Sequence, residues 1–469
     1  MTAHLKAIFF FCLLCLSMVN VDAQQDTATI RTFGGSNHEE GRQVIECALG
    51  GFAVIGTTGS DQANATNFYL LRLDDQLNCL WSKTLGGGVV DRGYGIVEDT
   101  EGNLILCGYS NDPTSGSYDV QVMKTDASGT LLWQKTYGGA DWDFGYKIVL
   151  HPSGGYAICG KTYSIGNGGS DGYVLHISND GELLSEMAFA TPLDEDFTDI
   201  DVMHYQGTDY LVFTGTVNGV EGITYSKGWV ASYNLATSEM LNYYVEHEGE
   251  NVRLNSSFVQ DSTILYCGYR TAASVTTGLY GKLDEALAPL TYLDFPVSGN
   301  YNYYDVAMVG DMVAAFGEED YVGSGGKDAV VYFWQNNGFY GAPTFGSNLT
   351  DMFYSGIIAS DGSVVAVGHT GRLNVSSPQL LAVRLSSIIS STYTQVYHLD
   401  DDCFELNVSE VPTAASSHLV VEQYYDAMGR LLWQSEDPKV KIPTGMLNGF
   451  IVVRQQFSDG HFEVVKRFY

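Results

Sequence analysis

Apolar and polar residues alternate along most of this chain in short runs, and glycine, asparagine or aspartate closes nearly every run. Gly93-Tyr94-Gly95-Ile96-Val97 leads to Asn103-Leu104-Ile105-Leu106-Cys107-Gly108. Asp119-Val120-Gln121-Val122-Met123-Lys124 follows, and then a run through Trp133 to Thr136 that ends at Gly138-Gly139. Period-two alternation bounded by turn residues predicts β-strands, and helix signals are few. The four runs then recur as a set. Trp81-Ser82-Lys83-Thr84-Leu85-Gly86-Gly87 reappears as Trp133-Gln134-Lys135-Thr136-Tyr137-Gly138-Gly139, 52 positions later, and Thr32-Phe33-Gly34-Gly35 stands the same distance before the first copy. Fainter copies carry the anchor on to Phe189, Tyr243, Tyr292 and Thr344.

Repeats of this length with four short strands each read as blades of a β-propeller. The expected fold is therefore all-β, with a seven-bladed ring of about 52 residues per blade spanning residues 24–395. The strand Ala28-Thr29-Ile30-Arg31-Thr32-Phe33 has no blade of its own. It is expected to complete the last blade beside Gln379-Leu380-Leu381-Ala382-Val383-Arg384, which removes an exposed edge. Cys107, Cys159 and Cys267 occupy a slot that other repeats fill with Ile55, Thr214, Phe316 and Val367, which predicts core packing as free thiols. A Cys47–Cys79 bridge stays open as a possibility inside the first blade.

Composition changes the picture outside the repeats. Lys6 precedes an apolar run from Ala7 to Met18, and Val21-Asp22-Ala23 suits cleavage before Gln24. Residues 1–23 thus read as a signal peptide rather than a membrane anchor, and no later segment is long and apolar enough to span a bilayer. The formal charge of −32 excludes nucleic acid and anionic lipid as expected partners. Beyond Asp400-Asp401-Asp402 the repeat gives way to another strand pattern, predicting a small β-sandwich over residues 396–469, with strands near Leu419–Tyr425, Leu431–Trp433, Lys439–Pro443, Gly449–Arg454 and Phe462–Phe468.

That tail carries a turn Tyr425-Asp426-Ala427-Met428-Gly429-Arg430, a stretch Leu447 to Val453 with the spacing Leu-x-Gly-x-x-Val-Val, and a basic final strand with Lys466-Arg467. In order, spacing and terminal position it resembles the C-terminal sorting domains of the Bacteroidetes type IX secretion system. The Pro-Asn-Pro phrase that often opens such domains is missing. The resemblance implies export through that machinery and a secreted, extracellular or outer-membrane-surface location. The repeats are similar to those of secreted Bacteroidetes propellers of unassigned activity. Lys124 to Trp133 is also similar to the Trp-docking text of quinoprotein propellers, without a quinone-site pattern.

Candidate chemistry is sparse. The histidines form no His-Glu-x-x-His, the Gly-x-Ser-x-Gly spacing at Gly168 to Gly172 falls in a glycine-rich loop with no helix after it, and the glycine-rich stretches lack a phosphate-binding Lys-Ser/Thr. Glu39, Asp91, Asp143, Asp196 and Asp351 each stand seven residues after an anchor. Pseudosymmetry sets them in a circle on one face, where they either hold a cation such as Ca²⁺ or accept backbone N–H bonds in their own turns. Repetition in blade after blade favours the turns. Asp141, Trp142, Asp194 and Glu195 add unrepeated groups to that face. Tyr301, Tyr303 and Tyr304 form an aromatic cluster of the same loop class, suited to stacking on a glycan or protein ligand. The function this predicts is a secreted binding scaffold with no catalytic activity evident. Its rival is an extracellular glycan hydrolase or lyase using face carboxylates.

Overall fold

Every alternating run becomes a strand, and no helix forms among the described residues of the computed structural model. Those residues are 28–386, apart from 61–64, 88, 112–115, 168, 190, 219–224, 248, 273–274, 295–299, 321–325, 336–337, 348 and 372–376, together with 396–398 and four strands between 419 and 468. The expected signal peptide, the Lys439–Pro443 strand, the turn after Asp426 and Cys403 lie outside them.

Seven antiparallel sheets follow one another along the chain. Their first strands are Glu39–Glu46, Asp91–Glu98, Asp143–Leu150, Asp194–Tyr205, Asn251–Gln260, Tyr301–Val309 and Asp351–Ile358, opening blades 1 to 7. Each touches the first strand of the next blade, and the circuit returns from blade 7 to blade 1. This makes the larger unit a seven-bladed propeller with the first strands around its channel. The N-terminal strand Ala28–Phe33 closes it as the outer strand of blade 7, with Ala28 opposite Leu385 and Phe33 opposite Leu380. Blade 6 is irregular: its outer strand shrinks to Thr344–Gly346, and Val396–His398 pairs parallel with it. That strand was expected in the tail, but the chain divides between Asp401 and Asp402. The second unit forms one antiparallel sheet over Leu419–Asp426, Leu431–Ser435, Phe450–Phe457 and Phe462–Phe468. The described residues thus hold a single layer of the expected sandwich, in the order Leu431–Ser435, Leu419–Asp426, Phe450–Phe457, Phe462–Phe468.

Burial explains which runs are wholly apolar. A middle strand such as Phe52–Thr58 is buried at every residue because both faces meet a neighbouring blade. Outer strands such as Cys79–Leu85 keep alternate residues exposed. Each junction between blades encloses its own core. Phe316, Phe333 and Phe345 of blade 6 meet Phe353, Leu381 and Val383 of blade 7. Val44, Val54 and Leu71 of blade 1 meet Val365, Val367 and Leu380 of blade 7. Each such side chain contributes about 1.5–3 kcal/mol on burial. Cys107, Cys159 and Cys267 lie in these cores as free thiols, and Cys47 is also a free thiol, so no Cys47–Cys79 bridge forms.

One irregularity recurs in all seven blades. The first and second strands lose register by one residue, skipping Arg42, Tyr94, Tyr146, Thr198, Asn255, Tyr304 and Tyr354 in turn. These are β-bulges, which bend a strand and re-aim a side chain. Beside each bulge the two strands approach so closely that only glycine fits on the second one. A Cβ on Gly108 would lie 1.9 Å from the Arg92 carbonyl oxygen, and on Gly160 or Gly368 it would lie 1.8 Å from that of Phe144 or Met352. Gly160→Ala is therefore expected to cost about 2 kcal/mol or more by overpacking against backbone. A lowered urea midpoint measures this, and an unchanged midpoint would show that the bulge yields freely.

Candidate functional site

The seven skipped residues all point into the central channel and line a cavity of about 270 Å³. Their identities divide it. On blades 6, 7, 1, 2 and 3 they are Tyr304, Tyr354, Arg42, Tyr94 and Tyr146, which touch in sequence around half the wall. Tyr304 and Tyr354 meet edge to face at 5.5 Å, and so do Tyr94 and Tyr146 at 5.4 Å. The Arg42 guanidinium sits between them, 3.8 Å from the centre of the Tyr354 ring and 5.1 Å from that of Tyr94. Glu40 locks Arg42 through two charge-assisted hydrogen bonds of 3.0 Å. Burial alone would raise the Glu40 carboxyl; the His38 hydrogen bond and Arg42 outweigh it and hold it at about 2. Burial pushes the Tyr354 phenol up to about 12, against the pull of Arg42, and raises Tyr146 well above its ordinary value. These phenols stay protonated at neutral pH and can donate to a ligand.

Blades 4 and 5 bring the small residues Thr198 and Asn255 to the same place. Thr198 donates to the Leu254 carbonyl at 3.0 Å, and Asn255 to that of Tyr303 at 2.6 Å. Above them Asp196 and Arg253 pair at 3.0 Å, and burial raises the Asp196 pKa despite Arg253. The residue after each bulge forms the floor. Gln43 accepts from the Ile96 N–H at 2.8 Å, Asp199 from Ser257 and Asp305 from Gly356, both at 3.0 Å. Each of these bonds runs to the following blade. The Ser256 hydroxyl reaches Asp199 at 2.5 Å and Asp305 at 2.7 Å. One hydroxyl proton lies between two carboxyl groups there, and burial raises the Asp305 pKa. Lys147 caps the cluster 3.3 Å from Asp199; burial would lower its pKa, but Asp199, Asp305 and Asp201 hold it raised.

The repeated acids have other work. Glu39, Asp91, Asp143 and Asp351 are buried and accept the N–H groups of Gly35, Gly87, Gly139 and Ser347 at 3.0, 2.8, 2.7 and 2.6 Å. The Gly-Gly phrase now has a cause. Gly34, Gly86 and Gly138 take φ of +147, +143 and +153°, and a Cβ on each would fall 2.3–2.5 Å from the acid's oxygen. Asp196 does not join this set. Ahead of blade 4 strand pairing sets Ala188, not Phe189, at the anchor slot, so Glu195 is the acid that accepts from the N–H four residues before it, that of Thr191, and Asp196 turns to the channel. Among the described residues no three His, Cys, Asp or Glu side chains converge as a metal site.

The unrepeated candidates scatter. Tyr301 and Tyr303 are buried in the core between blades 5 and 6 and do not reach the surface, because alternation turns them away from the channel. Tyr304 reaches it through the bulge. Asp194 is exposed and caps the Ser170 N–H at 3.1 Å, and Asp141 is exposed at the rim. Trp142 is 51% exposed and edges against Tyr118 and Tyr163 at 5.7 and 6.2 Å. Sequence reasoning missed Arg42, Tyr94, Tyr146, Lys147 and Tyr354. The available signal was a tyrosine recurring at one slot of the first strand, beside Gly93, Gly145, Tyr303 and Phe353.

No family model and no curated protein matches the chain. Similar solved structures include the β-propeller domain of the Trilobed protease from Pyrococcus furiosus, with TM-score 0.45 and 9% identity over 75% of this chain and 94% of that one. Another is the α-L-arabinanase of Penicillium chrysogenum complexed with arabinobiose, with TM-score 0.42 and 12% identity over 76% and 98%. Sqt1 from Chaetomium thermophilum, bound to the N-terminus of a ribosomal protein, gives TM-score 0.43 and 11% identity over 76% and 98%.

Asp143→Ala strands the Gly139 N–H and the Ser164 hydroxyl, which bond to it at 2.7 Å each. A loss of about 1–3 kcal/mol is expected in metal-free buffer, measured by urea unfolding with chelator present. Asp351 titrates oppositely to a salt-bridged acid. Burial raises its pKa from 3.8 to about 6, so the folded state holds a proton that the unfolded state releases between those values. Its contribution to stability grows as pH falls from 7 to 4. Asp351→Asn should lack that gain, seen as a shrinking wild-type deficit relative to the variant on going from pH 7 to pH 5.

Proposed function

We propose that this protein is an exported binding propeller whose channel mouth takes a saccharide. The signal-peptide pattern and the resemblance of the tail to type IX sorting domains support export to the cell surface or medium. The observation that carries the binding reading is the convergence of seven bulge residues on one cavity, aromatic on one half and hydrogen-bonding on the other. Sugar rings present apolar C–H faces and many hydroxyls, and this wall offers tyrosine faces together with paired donors and acceptors. A peptide would be held by an unpaired strand edge. Here Gln43, Asp199, Asp305 and Ser355 already bond to inner-edge N–H groups.

A second reading is turnover at the same place by a glycan hydrolase or lyase. It draws on Asp196, a buried mouth carboxyl with a raised pKa. General acid work needs such a group.

Calorimetry of the full chain against neutral and acidic oligosaccharides tests both. Tyr146→Ala and Tyr354→Ala should each weaken binding about tenfold or more, in line with losing an aromatic anchor. Released reducing ends in the same mixtures would move the reading to an enzyme. Failure of every saccharide to bind would overturn the proposal.

A further inference from the structure

The mouth of the channel is ringed by the residues two places before each bulge: Glu40, Arg92, Phe144, Asp196, Arg253, Asn302 and Met352. Each faces a partner on the second strand, among them Tyr109 opposite Arg92, Lys161 opposite Phe144 and His369 opposite Met352. Charges around this ring are mostly matched. Arg42 is held by Glu40, Arg253 by Asp196 at 3.0 Å, and Lys327 by Glu318 at 2.5 Å. Burial drives His369 to about 4, so it is neutral at pH 7.

Blades 2 and 3 break the pattern. Lys161 has neither hydrogen bond nor ion pair among the described residues; its ammonium lies over Phe144 at 5.2 Å and Tyr163 at 5.4 Å. It feels Asp196, but that carboxylate is already bonded to Arg253. Arg92 likewise has no acidic partner among the described residues and acts on Tyr109. Between the two cations lies a continuous aromatic surface. Tyr109 meets Phe144 at 4.9 Å and Tyr94 at 5.6 Å, while Phe144 stacks toward Tyr118 at 5.8 Å and Tyr146 at 6.3 Å. Trp142 extends it to the rim, 6.5 Å from Phe144. In a chain of net charge −32, two uncompensated cations flanking one aromatic shelf at a cavity mouth mark a local demand for an anion.

We infer that this sector recognises a saccharide residue bearing an acidic group, its ring against the Phe144–Tyr146 surface and its anion between Lys161 and Arg92. The inference rests on the saccharide reading and narrows it to acidic sugars. The committed form is a carboxylate, as in a uronic acid. A ring with an in-plane carboxylate sets its apolar face on the shelf and carries its charge along it, toward the cations that flank the shelf, and an ammonium or guanidinium bond to an anion is among the stronger polar contacts.

The test is calorimetric titration of the full chain with a galacturonic acid tetrasaccharide, the matching neutral galactose tetrasaccharide and a sulfated galactose tetrasaccharide. The expected result is at least tenfold tighter binding of the uronate than of the neutral chain. Lys161→Met and Arg92→Gln should each cut that preference several-fold, and Lys161→Arg should keep it. Melting temperatures establish that the variants fold. Tighter binding of the sulfated chain would overturn the carboxylate. Equal binding of acidic and neutral chains would overturn this inference while leaving the saccharide reading intact. No binding of any of the three would overturn both.

Discussion

The inner edge of each first strand faces the channel and has no neighbouring strand to complete its hydrogen bonds. A buried N–H without an acceptor costs about 1–3 kcal/mol, so seven such edges around one axis would be a severe burden. Each blade answers by inserting one residue. In four blades the bulge rotates the strand so that the next side chain reaches forward to an N–H of the following blade: Gln43 to Ile96, Asp199 to Ser257, Asp305 to Gly356, Ser355 to Val44. The extra residue is thrown into the channel. Ring closure and the cavity wall therefore arise from the same device.

The consequence is a division of labour along each first strand. In five blades an opening acid serves the turn that precedes it; in all seven the residue at the mouth layer meets the second strand and the bulge residue faces the cavity, and in blades 1, 4, 6 and 7 the next side chain ties to the neighbouring blade. The mouth and bulge layers are the ones turned to the channel. That is where Arg42, Tyr94, Tyr146, Thr198, Asn255, Tyr304 and Tyr354 differ from one another. A pseudosymmetric scaffold thus supports an asymmetric site, with tyrosines and Arg42 on one side and short polar residues on the other.

Electrostatics follow the same layering. Buried carboxyls in the turns and on the floor are each answered by backbone N–H groups, hydroxyls or Lys147, so their burial does not leave bare charge. The mouth over blades 2 and 3 departs from this rule with cations instead. Departures from otherwise complete pairing are where a scaffold has room for a ligand.

The sequence determined the number of blades, the closing role of Ala28–Phe33 and the burial of Cys107, Cys159 and Cys267, because period-two patterning and a 52-residue repeat are local properties of the chain. It also displayed the glycines at 108, 160 and 368 and the Gly-Gly phrases, without their reason. That reason is a close approach of two strands or a positive φ, which exists only once the sheet is formed. Which acid caps a turn was legible to within one residue, since the faint fourth copy set the anchor at Phe189 where strand pairing sets Ala188, and so pointed to Asp196 in place of Glu195. Which tyrosine faces the cavity was not legible. Alternation alone puts Tyr301, Tyr303 and Tyr304 in one cluster, and only the bulge at Tyr304 sends that ring into the channel while its neighbours enter the core. The meeting of Lys161 with Phe144, and of Phe144 with Tyr109 from the preceding blade, was likewise decided by tertiary structure. It depends on how two twisted sheets pack around an axis, and no spacing along the chain records that angle.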